Sequence, residues 1–134
     1  VDLLPADEGG GAGANLGWPR FEGTDALDDD PPPPDAIDPT YEYEHGDGRC
    51  AVTGGVVYRG EELPDLEGRY LFGDLCGRSL LALDVSGDEP VESTVLSLGE
   101  DEDIPQFVSF GVDDAGEVYV SAYGTGEVYR LTAG

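Results

Sequence analysis

From residue 41 onward apolar and polar positions alternate with a period of two, and short breaks rich in Gly, Asp and Ser cut the alternation into strand-length pieces. Ala51–Arg59 is rich in β-branched residues and stops at Gly60, and Gly68–Leu75 predicts a second strand. Ser79–Val85 predicts a third, closed by Ser86-Gly87-Asp88, and Val91–Leu98 a fourth. A second series holds three strands: Gln106–Val112, a turn at Asp113-Asp114-Ala115-Gly116, then Glu117–Tyr123 and Gly126–Leu131. Four successive strands joined by short turns form an antiparallel meander, the unit of a propeller blade. The expected fold is therefore all-β: one four-stranded blade followed by a three-stranded last blade. A sheet that stops at three strands leaves one edge of backbone donors and acceptors open. The pattern thus predicts either the C-terminal blades of a larger propeller, whose N-terminal blades are missing here, or several copies of the chain completing one ring.

Ahead of the alternation the chain reads differently. Residues 1–14 are polar and glycine-rich without a period, which predicts coil, and Asn15–Gly23 is a short aromatic segment ending in a strand. Residues 24–40 carry Asp28-Asp29-Asp30 and then Pro31 to Pro34, which remove ladder donors and favour an extended connector. Three parts follow: a glycine/proline-rich acidic connector with a remnant of a preceding blade (1–40), a four-stranded blade (41–103) and an incomplete last blade (104–134).

Charge narrows the partners. Thirty acidic residues stand against six basic ones, all arginine, for a net charge of −24. Phosphate is repelled at long range by such a surface, which excludes nucleic acid and anionic membrane as partners. No apolar run reaches the 18 or more residues of a spanning helix, and Val1-Asp2-Leu3-Leu4-Pro5 has neither a charged n-region nor a long h-region. Hydrophobic residues make up 39% of the chain, with seven Tyr and four Phe, and this favours a folded chain over a disordered one. Lys and Met are both absent. Carboxylates hold water and cations, whereas lysine stems expose apolar area, so the composition points to adaptation to molar salt. An ordinary acidic protein kept soluble by charge is the alternative.

Gly54-Gly55-Val56-Val57-Tyr58-Arg59-Gly60, followed by Leu63-Pro64-Asp65-Leu66-Glu67-Gly68-Arg69-Tyr70-Leu71-Phe72-Gly73-Asp74, resembles the glucose/sorbosone dehydrogenase family. These six-bladed propellers include soluble pyrroloquinoline-quinone (PQQ) sugar dehydrogenases and hedgehog-interacting-protein-like proteins. Asn15-Leu16-Gly17-Trp18-Pro19 is similar to the family's N-Y-G-W-P segment, and Phe107–Gly111 with Asp114–Val120 to its last blade. The resemblance runs from about residue 13 to the C-terminus and covers about a third of such a propeller. It implies a secreted, quinone-dependent sugar dehydrogenase that binds calcium, with a histidine base in an early blade outside these residues. No catalytic residue is expected here. The quinone carries three carboxylates and is met in the family by a lysine and two arginines of the late blades. Cys76 aligns with the lysine, and Gln106 and Val108 with the arginines; none of the three is a cation. An alternative role follows: a non-catalytic extracellular binding module that keeps the propeller and loses the redox chemistry.

His45, the only histidine, lies in Tyr41-Glu42-Tyr43-Glu44-His45-Gly46-Asp47-Gly48 and matches a family stretch that does not supply the base, so a structural hydrogen bond is expected of it. Cys50 and Cys76 are 26 positions apart at strand edges of one blade. Adjacent strands bring Cα atoms within disulfide range, so a Cys50–Cys76 disulfide is expected over two free buried thiols, and with it an extracellular or cell-surface location. Two cysteines without a neighbouring histidine make a poor zinc site. Asp28-Asp29-Asp30, Asp35 and Asp38, and Glu100-Asp101-Glu102-Asp103, offer calcium-type oxygens without an EF-hand loop, and read first as solvated runs. Gly9-Gly10-Gly11-Ala12-Gly13 lacks the lysine of a phosphate loop. Arg59, Arg69 and Arg78 are expected to pair with carboxylates, and Trp18 to be buried in a channel wall.

Overall fold

Strands form where the alternation is cleanest. The computed structural model describes residues 1–31, 33–97 and 106–133, and these fall in two compact units, Val1–Tyr43 and Glu44–Gly134.

In the first unit β1 (Phe21–Glu22) and β2 (Asp25–Ala26) form a small antiparallel hairpin. The hairpin extends into residues 24–40, where the sequence suggested only connector. Two features turn the chain there. Gly23 sits at φ +63, a left-handed conformation open to glycine, and a side chain at that position would run into the Glu42 carboxylate. Glu42 in turn accepts a hydrogen bond from Thr24 N at 2.8 Å and another from Thr24 Oγ1. Residues 1–14 include one 3₁₀ turn, Ala6–Glu8, where only coil was expected.

The second unit holds two meanders. β3 (Val52–Val57), β4 (Tyr70–Asp74), β5 (Ser79–Asp84) and β6 (Val91–Ser97) pair in sequence order as a four-stranded antiparallel sheet. β7 (Gln106–Val112), β8 (Val118–Tyr123) and β9 (Val128–Arg130) form a three-stranded one. These are the sheets expected of two propeller blades, the second with three strands among the described residues. The end of the predicted fourth strand, Leu98, and the Glu100–Asp103 run lie outside the described residues.

Packing follows from the patterns. β8 alternates, with Val118, Val120 and Ala122 buried and their neighbours less so. Leu80–Leu83 of β5 are buried on both faces, as suits the middle of a sheet. β3 and β4 pack against β7, and the core between the sheets is Tyr58, Leu71, Leu80, Ala82, Phe107, Val118 and Val120. Each sheet carries an irregularity in its first pairing, between Thr53 and Val56 on β3 and between Phe107 and Ser109 on β7. On β3 Gly55 is required, since any Cβ there would meet the Leu71 backbone.

Candidate functional site

Polar chemistry concentrates at one end of the four-stranded blade. The β3–β4 ladder closes at Val52↔Asp74, and beyond it Leu75 N donates to Ala51 O at 2.9 Å. The two chains are held close enough there that Cys50 and Cys76 are joined in a disulfide, their Cα atoms 5.6 Å apart. Beneath it lies Asp74, only 1% exposed. Its carboxylate accepts hydrogen bonds from four backbone amides: Cys50 N (3.1 Å), Ala51 N (3.0 Å), Cys76 N (2.8 Å) and Gly77 N (2.9 Å). A buried carboxylate is stable only with such donors, and these four come from both segments that carry the cysteines, one leading into β3 and one following β4. The turn beyond Cys76 places Arg78 at φ +47, an uncommon conformation for a residue with a Cβ. On the approach to Cys50, Arg49 forks onto Glu92, with Nη1 donating at 2.9 Å. Nearby Thr53 Oγ1 is buried without a hydrogen-bond partner among the described residues.

A second polar cluster sits at the seam between the sheets. Glu117, 3% exposed, accepts from Tyr58 Oη at 2.7 Å, Glu61 N at 2.9 Å and Glu62 N at 3.1 Å. Tyr58 Oη also accepts from Leu63 N at 3.0 Å. The Tyr58 hydrogen bond, helped by the two backbone amides, holds the Glu117 carboxyl below its ordinary range. Burial, and then the bond to Glu117, pushes the Tyr58 phenol up. The close approach needs glycines: a Cβ on Gly60 would meet the Glu117 carboxylate at 2.5 Å, and one on Gly116 the Arg59 backbone at 2.8 Å.

The residues singled out in the sequence scatter. Cys50 and Cys76 come together. His45 is exposed just before the tight loop bridged at Gly46 and Arg49. Gln106 opens β7 opposite Tyr123, and Val108 stands at the β7 irregularity, 38% exposed. Arg69 lies 3.8 Å from Asp84, while Arg59 is exposed. Trp18 is 73% exposed, contrary to the buried position expected of it. The turn explains why: Arg20 N and Phe21 N both donate to Gly17 O, so the chain reverses around Trp18 and turns its indole outward. Of the acidic runs, Asp30 pairs with Arg20 at 2.9 Å and Asp35 accepts from Asn15 Nδ2 at 3.3 Å. Sequence reasoning passed over Asp74 and Glu117. Asp74 ends β4 and Glu117 immediately precedes β8, both within a quoted motif, but in a chain with thirty acidic residues nothing in the sequence marks two of them as buried.

The quinone implied by the resemblance is a tricarboxylate and needs cations. Cys76 is committed to a disulfide above a buried carboxylate, Gln106 is neutral and Val108 apolar. Arg20, Arg49, Arg69 and Arg130 already face carboxylates of this chain. The residues at these positions do not fit the quinone, and no step of chemistry is routed through it here.

Residues 11–130 match the family profile described as Glucose / Sorbosone dehydrogenase. The HIPL1 protein of Arabidopsis thaliana is 29% identical over 141 aligned positions, which cover 90% of this chain and 20% of that protein. The chain thus spans about a fifth of the length of that relative.

Proposed function

Because this chain belongs to the glucose/sorbosone dehydrogenase family, we propose that its two blades form the structural C-terminal part of a secreted, salt-adapted propeller of the PQQ sugar-dehydrogenase type. They shape part of the ring, while the base that would deprotonate a sugar and most of the cofactor site belong to other blades. The outer edge of β9, which has no strand paired to it among the described residues, carries this reading. Val120 faces Tyr129 in β8–β9 pairing, and backbone bonds flank that pair at Val118/Leu131 and Ala122/Glu127. Val128 and Arg130 therefore direct their N–H and C=O groups to the outer side, where a further strand would pair. The disulfide supports an oxidising, extracellular setting, and the charge of −24 with no lysine supports molar salt.

A second reading is favoured by Cys76, Gln106 and Val108: a propeller kept as an extracellular binding module without redox chemistry. Two measurements on the intact protein separate the readings. Amide exchange at Val128 and Arg130 is slow if a strand from the rest of the ring or from another copy pairs with β9; fast exchange in the intact protein defeats the scaffold role. Sugar oxidation on addition of quinone and calcium supports the dehydrogenase, and its absence leaves the binding module.

A further inference from the structure

Cys50 Sγ, Cys76 Sγ and a carboxylate oxygen of Asp74 lie within 4.8 Å of one another. The disulfide is not alone in holding them there. Asp74 binds the amides of Cys50, Ala51, Cys76 and Gly77, and the ladder closes on Asp74 itself, so both arms have a fastening besides sulfur. Opening the S–S bond therefore leaves two thiols facing each other beside a buried carboxylate. A tetrahedral thiolate site needs metal–sulfur distances of about 2.3 Å, within reach of side-chain rotation from this backbone. Cys76 is exposed, Cys50 half-buried and Asp74 buried, which gives a cation a way in and leaves a position for water.

We propose that the Cys50–Cys76–Asp74 corner is a redox-gated site for a thiophilic divalent cation of the zinc class. In the oxidised state the disulfide sulfurs are poor ligands and the site is closed. A dithiol supplies two electrons and two protons, leaves as its own disulfide, and yields two thiols. Binding of the cation then releases both thiol protons and sets two thiolates, the carboxylate oxygen and one water around it. Three anionic ligands suit a dication, and a protein of charge −24 concentrates cations near its surface. Because only the dithiol form binds, the cation pulls the disulfide equilibrium. At ten times its dissociation constant it raises the equilibrium constant for reduction about elevenfold.

Cobalt(II) is the probe. The intact protein is reduced with a phosphine, which takes up oxygen from water, is freed of the reagent without air, and is then titrated. A near-ultraviolet thiolate-to-cobalt band saturating at one equivalent, displaced by zinc and missing from the oxidised protein, is expected. Cys50→Ser and Cys76→Ser each abolish the band while keeping Asp74 in place, and Asp74→Glu lowers affinity by tenfold or more. The proposal is overturned if the reduced, folded protein shows no band. It is equally overturned if either single-cysteine variant keeps the band, or if the oxidised protein binds as well through its surface carboxylates.

Discussion

Two buried carboxylates do opposite kinds of holding. Asp74 ties together four amides of its own blade, and Asp74→Asn presents an NH₂ group to donors that had an oxygen. Losing charge-assisted bonds of this kind costs about 3 kcal/mol, similar to the roughly 3 kcal/mol that the chain-entropy estimate assigns to a disulfide closing a loop of this size. Since both fasten the same backbone, their losses should not add. Denaturant unfolding of Asp74→Asn, of the Cys50→Ser/Cys76→Ser pair and of the triple variant should show the triple less destabilised than the sum, and strict additivity would mean the two act apart. Glu117 makes stability pH-dependent. Its carboxyl titrates below the ordinary value of about 4.3 in the folded state. Its contribution is therefore complete above that value and is lost as pH falls through the lower folded-state pKa. Thermal scans of the native chain and Glu117→Gln should differ most near neutrality, and the gap should begin to narrow only below about pH 4 and shrink further as the pH falls.

The strands were legible because period two and turn residues coincide. Ser79–Asp84 and Gln106–Val112 fall where alternation and turn signals put them, to within a residue. The small β1–β2 hairpin was hidden, because it depends on a left-handed Gly23 and on Glu42, which lies 18 positions from Thr24. The disulfide was readable from strand edges, whereas the seam was not, because Tyr58 and Glu117 are 59 positions apart and nothing local couples them. Gly116 belongs to that seam as a backbone requirement. Its φ of +83 and its 2.8 Å approach to Arg59 leave no room for a methyl group. Gly116→Ala combines a left-handed penalty of about 1–2 kcal/mol with a backbone clash. Its unfolding free energy should fall by at least that much, while Gly111→Ala, which meets nothing within 4 Å, serves as the control.

Over the whole chain, thirty carboxylates against six arginines repel one another in the folded state more than in an expanded one. Screening length falls from about 10 Å at 0.1 M salt to about 3 Å at 1 M. The melting temperature should rise between those concentrations by about 4 °C or more, the shift that about 1 kcal/mol produces in a domain of this size. A melting curve indifferent to salt would remove the salt-adapted reading.

The meander order gives the two sheets a history as well as a shape. Each strand of β3–β6 and of β7–β9 pairs with the next one along the chain, so the loops to be closed are short and blades of this kind assemble quickly. The contact between Tyr58 and Glu117 closes a far longer loop, and is expected to form after both sheets exist. Interactions made that late are absent from the transition state, so weakening them leaves the refolding rate nearly unchanged and speeds unfolding. Gly116→Ala should show that signature in a chevron. The lifetime of the folded protein would then be set where one blade leans on the next, rather than inside either sheet.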